Sequence, residues 1–277
     1  MQNIRTCILF TILVLAPAAQ AVAQLSSSGT PWDGAIAESN IAGFSQSTAS
    51  LNPAIVSGDT MFVIAASYFP DSRGLSGSST SSVGMIFSVR DRDVMGLSAS
   101  RYGYQNIYSE SSLGLLYSHR FAVTDARDIH AAVRLRYEDQ NFGTWYGSNR
   151  GASVDLGMKF GLTDLLSIGM SVNDVVMVGN NAISHPPQFD LGIGVQAVTD
   201  LQFYGTTELD QDRNLLLRIG AEYLFSTALK FGVGYESLTG SPSAGLEISS
   251  GPFRIEASSA KHPELGYSLM FGIRYEK

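Results

Sequence analysis

The sequence has few of the residues on which catalysis, metal binding and covalent cross-linking depend. A single cysteine, Cys7, occurs in 277 residues, so no intramolecular disulfide can form. The four histidines are scattered, and none lies in a nucleophile motif or at metal-ligand spacing: they are His119, His130, His185 and His262. A lipid hydrolase would need a base, an orienting group and an oxyanion site together. We therefore expect no catalytic residue, no metal site and no cofactor.

Positive charge and long apolar runs are also scarce. The formal net charge is −7, which argues against nucleic acid as a partner. Only the N-terminus carries an extended apolar run, from Cys7 to Pro17, preceded by Arg5 and followed by small residues up to Ala23. This pattern predicts a signal peptide over residues 1–23 that is cleaved after Ala21 or Ala23 on export. Beyond it, no run approaches the ~18 residues of a spanning helix.

What the sequence does have is a two-residue alternation that begins near Thr60 and continues to the end. Ile129, Ala131, Val133, Leu135 and Tyr137 alternate with His130, Ala132, Arg134, Arg136 and Glu138. An extended strand therefore has one apolar face and one ionic face. Because nearly every segment repeats the pattern, with aromatic residues at the ends of the apolar rows, we predict an all-β, antiparallel transmembrane barrel over residues 60–277.

The alternation and the turn residues predict about fourteen strands, an even number as in bacterial single-chain barrels. The connections are alternately short and long, which places both termini on the periplasmic side. The predicted strands are Thr60–Phe69, Ser81–Arg90, Asp93–Tyr102, Ser111–Phe121, Ile129–Asp139, Ala152–Leu162, Leu165–Val176, Phe189–Thr199, Leu201–Asp210, Leu215–Phe225, Leu229–Ser237, Ala244–Ser250, Phe253–Ser259 and Gly266–Tyr275.

Residues 24–59 lack this alternation and form a separate N-terminal leader. Apolar residues are present there, among them Trp32, Ile36 and Ile41, but they do not follow a strand pattern. The Asn52-Pro53 step suits a turn into the first strand. We expect the segment from Trp32 to Ile55 to lie in the periplasmic side of the lumen as a plug, or else to serve as a docking arm for a partner.

Several motifs resemble one family of outer-membrane barrels. The stretch Ser47 to Ala54, which contains Asn52-Pro53-Ala54, resembles the signature that precedes the first strand in FadL-like transporters and PorV/PorQ-like proteins. Later strand patterns are similar as well, including Gly220-Ala221-Glu222-Tyr223 and Gly232-Val233-Gly234-Tyr235. The resemblance implies a fourteen-strand barrel with a role in type IX secretion or in the passage of hydrophobic ligands.

Two functions remain open, and neither is enzymatic. One is a scaffold or secretion-associated barrel of the PorV/PorQ-like type, and the other is a FadL-like transporter of small hydrophobic solutes. The ionic inner face favours the scaffold over a continuous apolar channel. The expected partners are outer-membrane lipid, the barrel-assembly machinery, and either a secretion-system or exported protein or a small hydrophobic solute. The expected location is the cell outer membrane.

Two sets of side chains are candidate sites. The inward charges form either a polar pathway or a lumen of paired ions: Arg134, Arg136, Glu138, Glu208, Arg218, Glu222, Arg254, Glu256 and Arg274. The loop from Gln140 to Arg150 supplies aromatic rings and a cation: Phe142, Trp145, Tyr146 and Arg150. These four residues suit contact with an amphipathic ligand or protein, or they belong to an aromatic girdle at the membrane interface.

Overall fold

The computed structural model is a closed barrel of fourteen antiparallel strands, which confirms the predicted fold class. It describes residues 30–43, 52–55, 62–71, 76–105, 107–124, 127–143, 147–180, 187–209 and 215–277. The strands are β1 Phe62–Pro70, β2 Ser78–Arg90, β3 Asp93–Tyr104, β4 Tyr108–Thr124, β5 Arg127–Asn141, β6 Ser148–Thr163, β7 Leu166–Asn180, β8 Gln188–Val198, β9 Leu201–Leu209, β10 Leu215–Ser226, β11 Leu229–Glu236, β12 Ser241–Ser250, β13 Phe253–His262 and β14 Gly266–Glu276.

Each strand pairs with its neighbours in sequence, and the first pairs with the last. The β1–β14 ladder runs from Val63 opposite Glu276 to Tyr68 opposite Phe271. This closure leaves no open sheet edge, which a bilayer interior requires because lipid cannot satisfy free backbone groups.

The two faces of each strand differ in composition, as the alternation predicts. On β14, four alternate apolar residues are between 47 and 67% exposed: Tyr267, Leu269, Phe271 and Ile273. Arg274, which follows Ile273 and faces inward, is 4% exposed. Apolar side chains thus cover the outside of the barrel, and ionic and small side chains fill the inside. An exterior of this kind is matched to lipid.

The strands β4 to β7 are longer than the sequence predicts. The alternation indicates Ser111–Phe121 for β4, whereas the strand spans Tyr108–Thr124. On β4, β5 and β6 the extra residues next to the long connections are polar, aromatic or glycine, so they lack the apolar alternation that marks a lipid-facing strand. Across the barrel, β9 spans only Leu201–Leu209. The strands on one side of the barrel are therefore longer than β9 on the other side.

Residues before β1 form two short helical elements inside the barrel. A helix, α1, spans Pro31–Ala35, and a 3₁₀ turn spans Pro53–Ile55. Every residue of both elements is buried. In the described part of the chain, no helix has the length and apolar character needed to cross a membrane.

Candidate functional site in the barrel lumen

The helix α1 is short, and its start is fixed by side-chain capping. Thr30 accepts a hydrogen bond from the backbone N–H of Asp33, and the Asp33 carboxylate accepts one from the backbone N–H of Thr30 at 2.8 Å. Pro31 occupies the first turn, where its missing N–H is not needed. The described part of the leader, residues 30–43 and 52–55, is called the N-terminal segment below.

The N-terminal segment lies against a row of inward glycines, the glycine belt. The belt consists of Gly157 on β6, Gly169 on β7, Gly192 on β8, Gly220 on β10, Gly232 and Gly234 on β11, Gly245 on β12 and Gly272 on β14. A Cβ atom at Gly245 would lie 2.5 Å from Ala35 Cβ, and one at Gly272 would lie 2.8 Å from Pro31 Cγ. Real Cβ atoms do not approach so closely. The absence of side chains in the belt is thus what allows the segment to lie in the lumen.

Wall hydroxyls bind the backbone carbonyls that this irregular segment leaves unpaired. Ser167 donates to Ala42 at 2.6 Å, Thr206 donates to Ser39 at 2.6 Å, and Ser243 donates to Ala35 at 2.9 Å. Each buried carbonyl without such a partner would cost about 1–3 kcal/mol. The inward Ser and Thr side chains therefore stabilise the segment in its position, between the glycines that make room for it.

Trp32 is the largest side chain of the segment and is fully buried. Its indole N–H donates to Glu222 at 2.9 Å, and its backbone N–H donates to Glu256 at 3.3 Å. The Lys230 ammonium lies 4.0 Å from the indole centroid, within the range of a cation–π interaction. Three strands, β10, β11 and β13, thus fix this one residue.

Asn52 and Pro53 anchor the second part of the segment to β6. The Asn52 amide donates to the Ile41 carbonyl at 2.8 Å and to the Met158 carbonyl at 3.1 Å, while its oxygen accepts from Ala54. The Pro53 ring fits against Gly157, where a Cβ would lie 2.9 Å from it. The pair therefore does more than turn the chain: it ties the segment both to itself and to the wall.

The inward charges on β5 and β6 form one network. Arg134 donates to Asp155 at 2.7 Å, and Arg136 donates to Glu138 at 2.9 Å. Arg136 also reaches Asp155 and Asp174, the latter in an irregular part of β7. Asp155 is fully buried between the two arginines. Sequence parity places the charges on the inner face, but it does not show that Asp155 is their common partner.

The remaining inward charges that the sequence predicts form two more groups. Arg218 donates to Glu208 at 2.6 Å and also contacts Glu236 and Glu38. In the second group, Arg274 lies 2.8 Å from Glu247 and 3.2 Å from Glu256, Lys230 joins Glu222 to Glu247, and Arg254 contacts Glu276 at 3.7 Å. These side chains pair with one another, so they form a self-neutralising wall rather than a row of open charges.

Asp33 is the buried titratable group of the N-terminal segment. Burial raises the pKa of its carboxyl to about 7, although hydrogen bonds from Thr30 and Asn40 act in the opposite direction. The negative charge of Glu256 on the barrel wall raises the pKa of Asp33 further.

The outer-loop candidates are separated by the structure. The Phe142 ring packs against the Tyr108 ring in a tilted arrangement, with 5.1 Å between the ring centroids. Arg150 is exposed and pairs with Asp139 at 3.0 Å on the outside. Trp145 and Tyr146 lie outside the described residues, as does the predicted signal peptide.

Aromatic residues inside the barrel are more numerous than sequence parity indicates. Parity identifies Tyr204, which is 4% exposed, as an inward ring. Phe69 and Tyr102 are also buried, at 6% and 8%. Both lie at the ends of their predicted strands, where the alternation is too short to assign a face.

The described residues contain no group of three or more His, Cys, Asp or Glu side chains that could hold a metal ion. An apolar hollow of about 610 Å³ lies on the outer wall between β2 and β6. Outward residues such as Val83, Leu97 and Leu135 line it, and Gly84 and Gly114 are among the inward positions behind it.

The fold is similar to that of solved outer-membrane proteins. The toluene transporter TodX of Pseudomonas putida superposes with a TM-score of 0.64 at 12% identity, covering 93% of this chain and 100% of TodX. A FadL homologue of Pseudomonas aeruginosa gives a TM-score of 0.58 at 12% identity, covering 91% and 99%. Omp33 of Acinetobacter baumannii gives 0.54 at 6% identity, covering 79% and 98%.

No protein-family model and no curated protein sequence matches this chain. The structural neighbours give no support for the PorV/PorQ group or for type IX secretion in particular. At identities this low, the likeness shows the fold alone: the protein is an outer-membrane-type β-barrel that resembles FadL-like channels.

Proposed function

We propose that the protein is a non-enzymatic outer-membrane channel for small hydrophobic compounds, and that its N-terminal segment closes the lumen. The carrying observation is that this segment is buried against the glycine belt and bonded to wall hydroxyls on several strands. A segment tethered within the barrel needs only modest contacts to stay docked, because its effective concentration is high.

The proposal that the solute is hydrophobic rests on the side chains of the barrel wall and on the fold. The inward charges predicted from the sequence pair with other inward charges, so the ionic lumen that favoured a scaffold does not by itself require a charged cargo. Apolar surface is present inside at Phe69, Tyr102 and Tyr204 and outside in the hollow of the β2–β6 wall. The barrel also shares its fold with the toluene transporter.

Deletion of residues 24–50, with Asn52-Pro53 kept, tests closure. We expect the shortened protein to assemble, to remain heat-modifiable, and to conduct more current in planar bilayers than the protein that starts at residue 24. Deletion of residues 24–29 alone is the matched control, because it shortens the chain but leaves the N-terminal segment intact. Equal conductance of all three proteins would show that the segment does not close the lumen.

The solute class needs a separate test in cells, where lipopolysaccharide slows the entry of hydrocarbons. Uptake of labelled toluene by Gram-negative cells without a comparable channel should increase when this protein is made, and uptake of a labelled disaccharide should not. Faster uptake of the sugar alone would identify a hydrophilic pore.

A further inference from the structure

A group of aromatic and hydrogen-bond acceptor side chains lies at the outer mouth, away from the N-terminal segment. It comprises Tyr102, Tyr108, Glu110, Gln140 and Phe142, which we name the mouth cluster. Tyr102, Glu110 and Gln140 are direct cross-strand neighbours on β3, β4 and β5, so they form one row on the inner face. The Tyr108 ring lies 5.9 Å from Tyr102 and 5.1 Å from Phe142.

Two polar groups of the mouth cluster are buried without the partners that such groups require. Glu110 is 9% exposed and accepts a hydrogen bond from the Tyr108 hydroxyl at 2.8 Å. Among the described residues it has no cationic partner, whereas the inward carboxylates Glu138, Glu208 and Glu247 each pair with an arginine. Gln140 is 5% exposed, and its side-chain oxygen has no hydrogen-bond partner in the described part of the chain.

The mouth cluster lacks a cation for its carboxylate and a hydrogen-bond donor for its amide oxygen, and both groups lie beside aromatic rings. A buried carboxylate is costly unless a cation pairs with it, and the amide oxygen needs a donor. Aromatic faces attract cations and stack on apolar groups. A bare divalent ion would need several more oxygen ligands than this cluster offers.

We propose that the mouth cluster binds an organic ammonium compound, with the ammonium group between Glu110 and the Gln140 oxygen and its apolar part against the three rings. A primary ammonium has three donors and no acceptor, which complements this set. The site lies outside the closed part of the lumen and does not depend on transport, so binding can be measured with the N-terminal segment docked.

The test is calorimetric titration of the full mature protein in neutral detergent with three probes of similar size: 2-phenylethylammonium, 2-phenylethanol and phenylacetate. We expect the ammonium to bind at least about ten-fold more tightly than the neutral alcohol, and the carboxylate to bind least. A difference of this size corresponds to one hydrogen bond to a charged group.

Glu110→Gln should remove most of the preference for the ammonium, and Gln140→Met should weaken its binding several-fold. Asp139→Asn is the matched control, because it removes a charge from the neighbouring position of β5 on the outer face; it should change binding less than two-fold. Heat-modifiability reports assembly of each variant, and Gln140→Met provides the test if Glu110→Gln does not assemble. Equal binding of the ammonium and the alcohol, or ammonium binding unchanged in a folded Glu110→Gln protein, would overturn the proposal.

Discussion

Replacement of Trp32 by alanine should release the N-terminal segment from the lumen. Trp32 is fully buried, donates to Glu222 and lies under Lys230. Truncation of a buried tryptophan costs about 3–5 kcal/mol, and its indole hydrogen bond to a carboxylate is worth about 1.5–3 kcal/mol within the same contact. A loss of about 4 kcal/mol would raise the undocked-to-docked ratio about a thousand-fold.

Thiol labelling measures this release directly, because the sequence has one cysteine, Cys7, and a protein that starts at residue 24 has none. Ala35→Cys places a thiol at a buried position of α1. With Trp32→Ala added, a bulky maleimide should label it much faster, and bilayer conductance should rise in parallel. Tyr267→Ala, a change at a 67% exposed ring, is the control and should alter neither the labelling rate nor the conductance. Unchanged labelling in the Trp32→Ala protein would refute the assignment of Trp32 as the main anchor.

Three further predictions concern the barrel wall and the N-terminal segment. Gly245→Val should displace α1 and raise conductance or impair assembly, whereas Gly103→Val, where a Cβ would meet no atom within 4 Å, should do neither. Because burial raises the pKa of Asp33 from 3.8 to about 7, docking should be strongest below pH 4, weaken up to pH 7 and then stay constant; conductance should therefore be higher at pH 8 than at pH 5, and less so in Asp33→Asn. The outward change Phe271→Arg should cost about 2–4 kcal/mol in unfolding titrations if it lies near the bilayer midplane, in contrast to the inward Ser268→Arg.

The barrel could be predicted from sequence because its rule is local. A period of two assigns each side chain to one face, and closure then follows from the need to pair every backbone group in lipid. The ends of the strands are harder to predict from the sequence. The upper parts of β4 to β6 lie beyond the apolar alternation. The sequence therefore does not indicate that Tyr108 and Phe142, near these ends, are neighbours.

The site was predictable only in part. Parity gives the face of Arg136 or Glu222, but not its partner, because the partner depends on register and on which strands are adjacent around the barrel. The position of Trp32 between Glu222 and Lys230 is a contact over about 190 residues, and no local pattern indicates it. The repeated glycine at inward positions is a sequence signal that indicates close contact between the wall and the N-terminal segment.

Those inward glycines have a physical meaning that strand propensity alone does not supply. Glycine in a strand is destabilising by roughly 0.5–1 kcal/mol relative to alanine, since it lacks a side chain to pack and loses more chain entropy. Eight of them on seven strands would weaken a barrel whose lumen held only water. The loss is offset where another part of the chain approaches the wall closely, as Ala35, Ile41 and Pro53 do here. A row of glycines on the inner face of many strands therefore indicates an occupied lumen, and in this protein the occupant is the chain's own N-terminal segment.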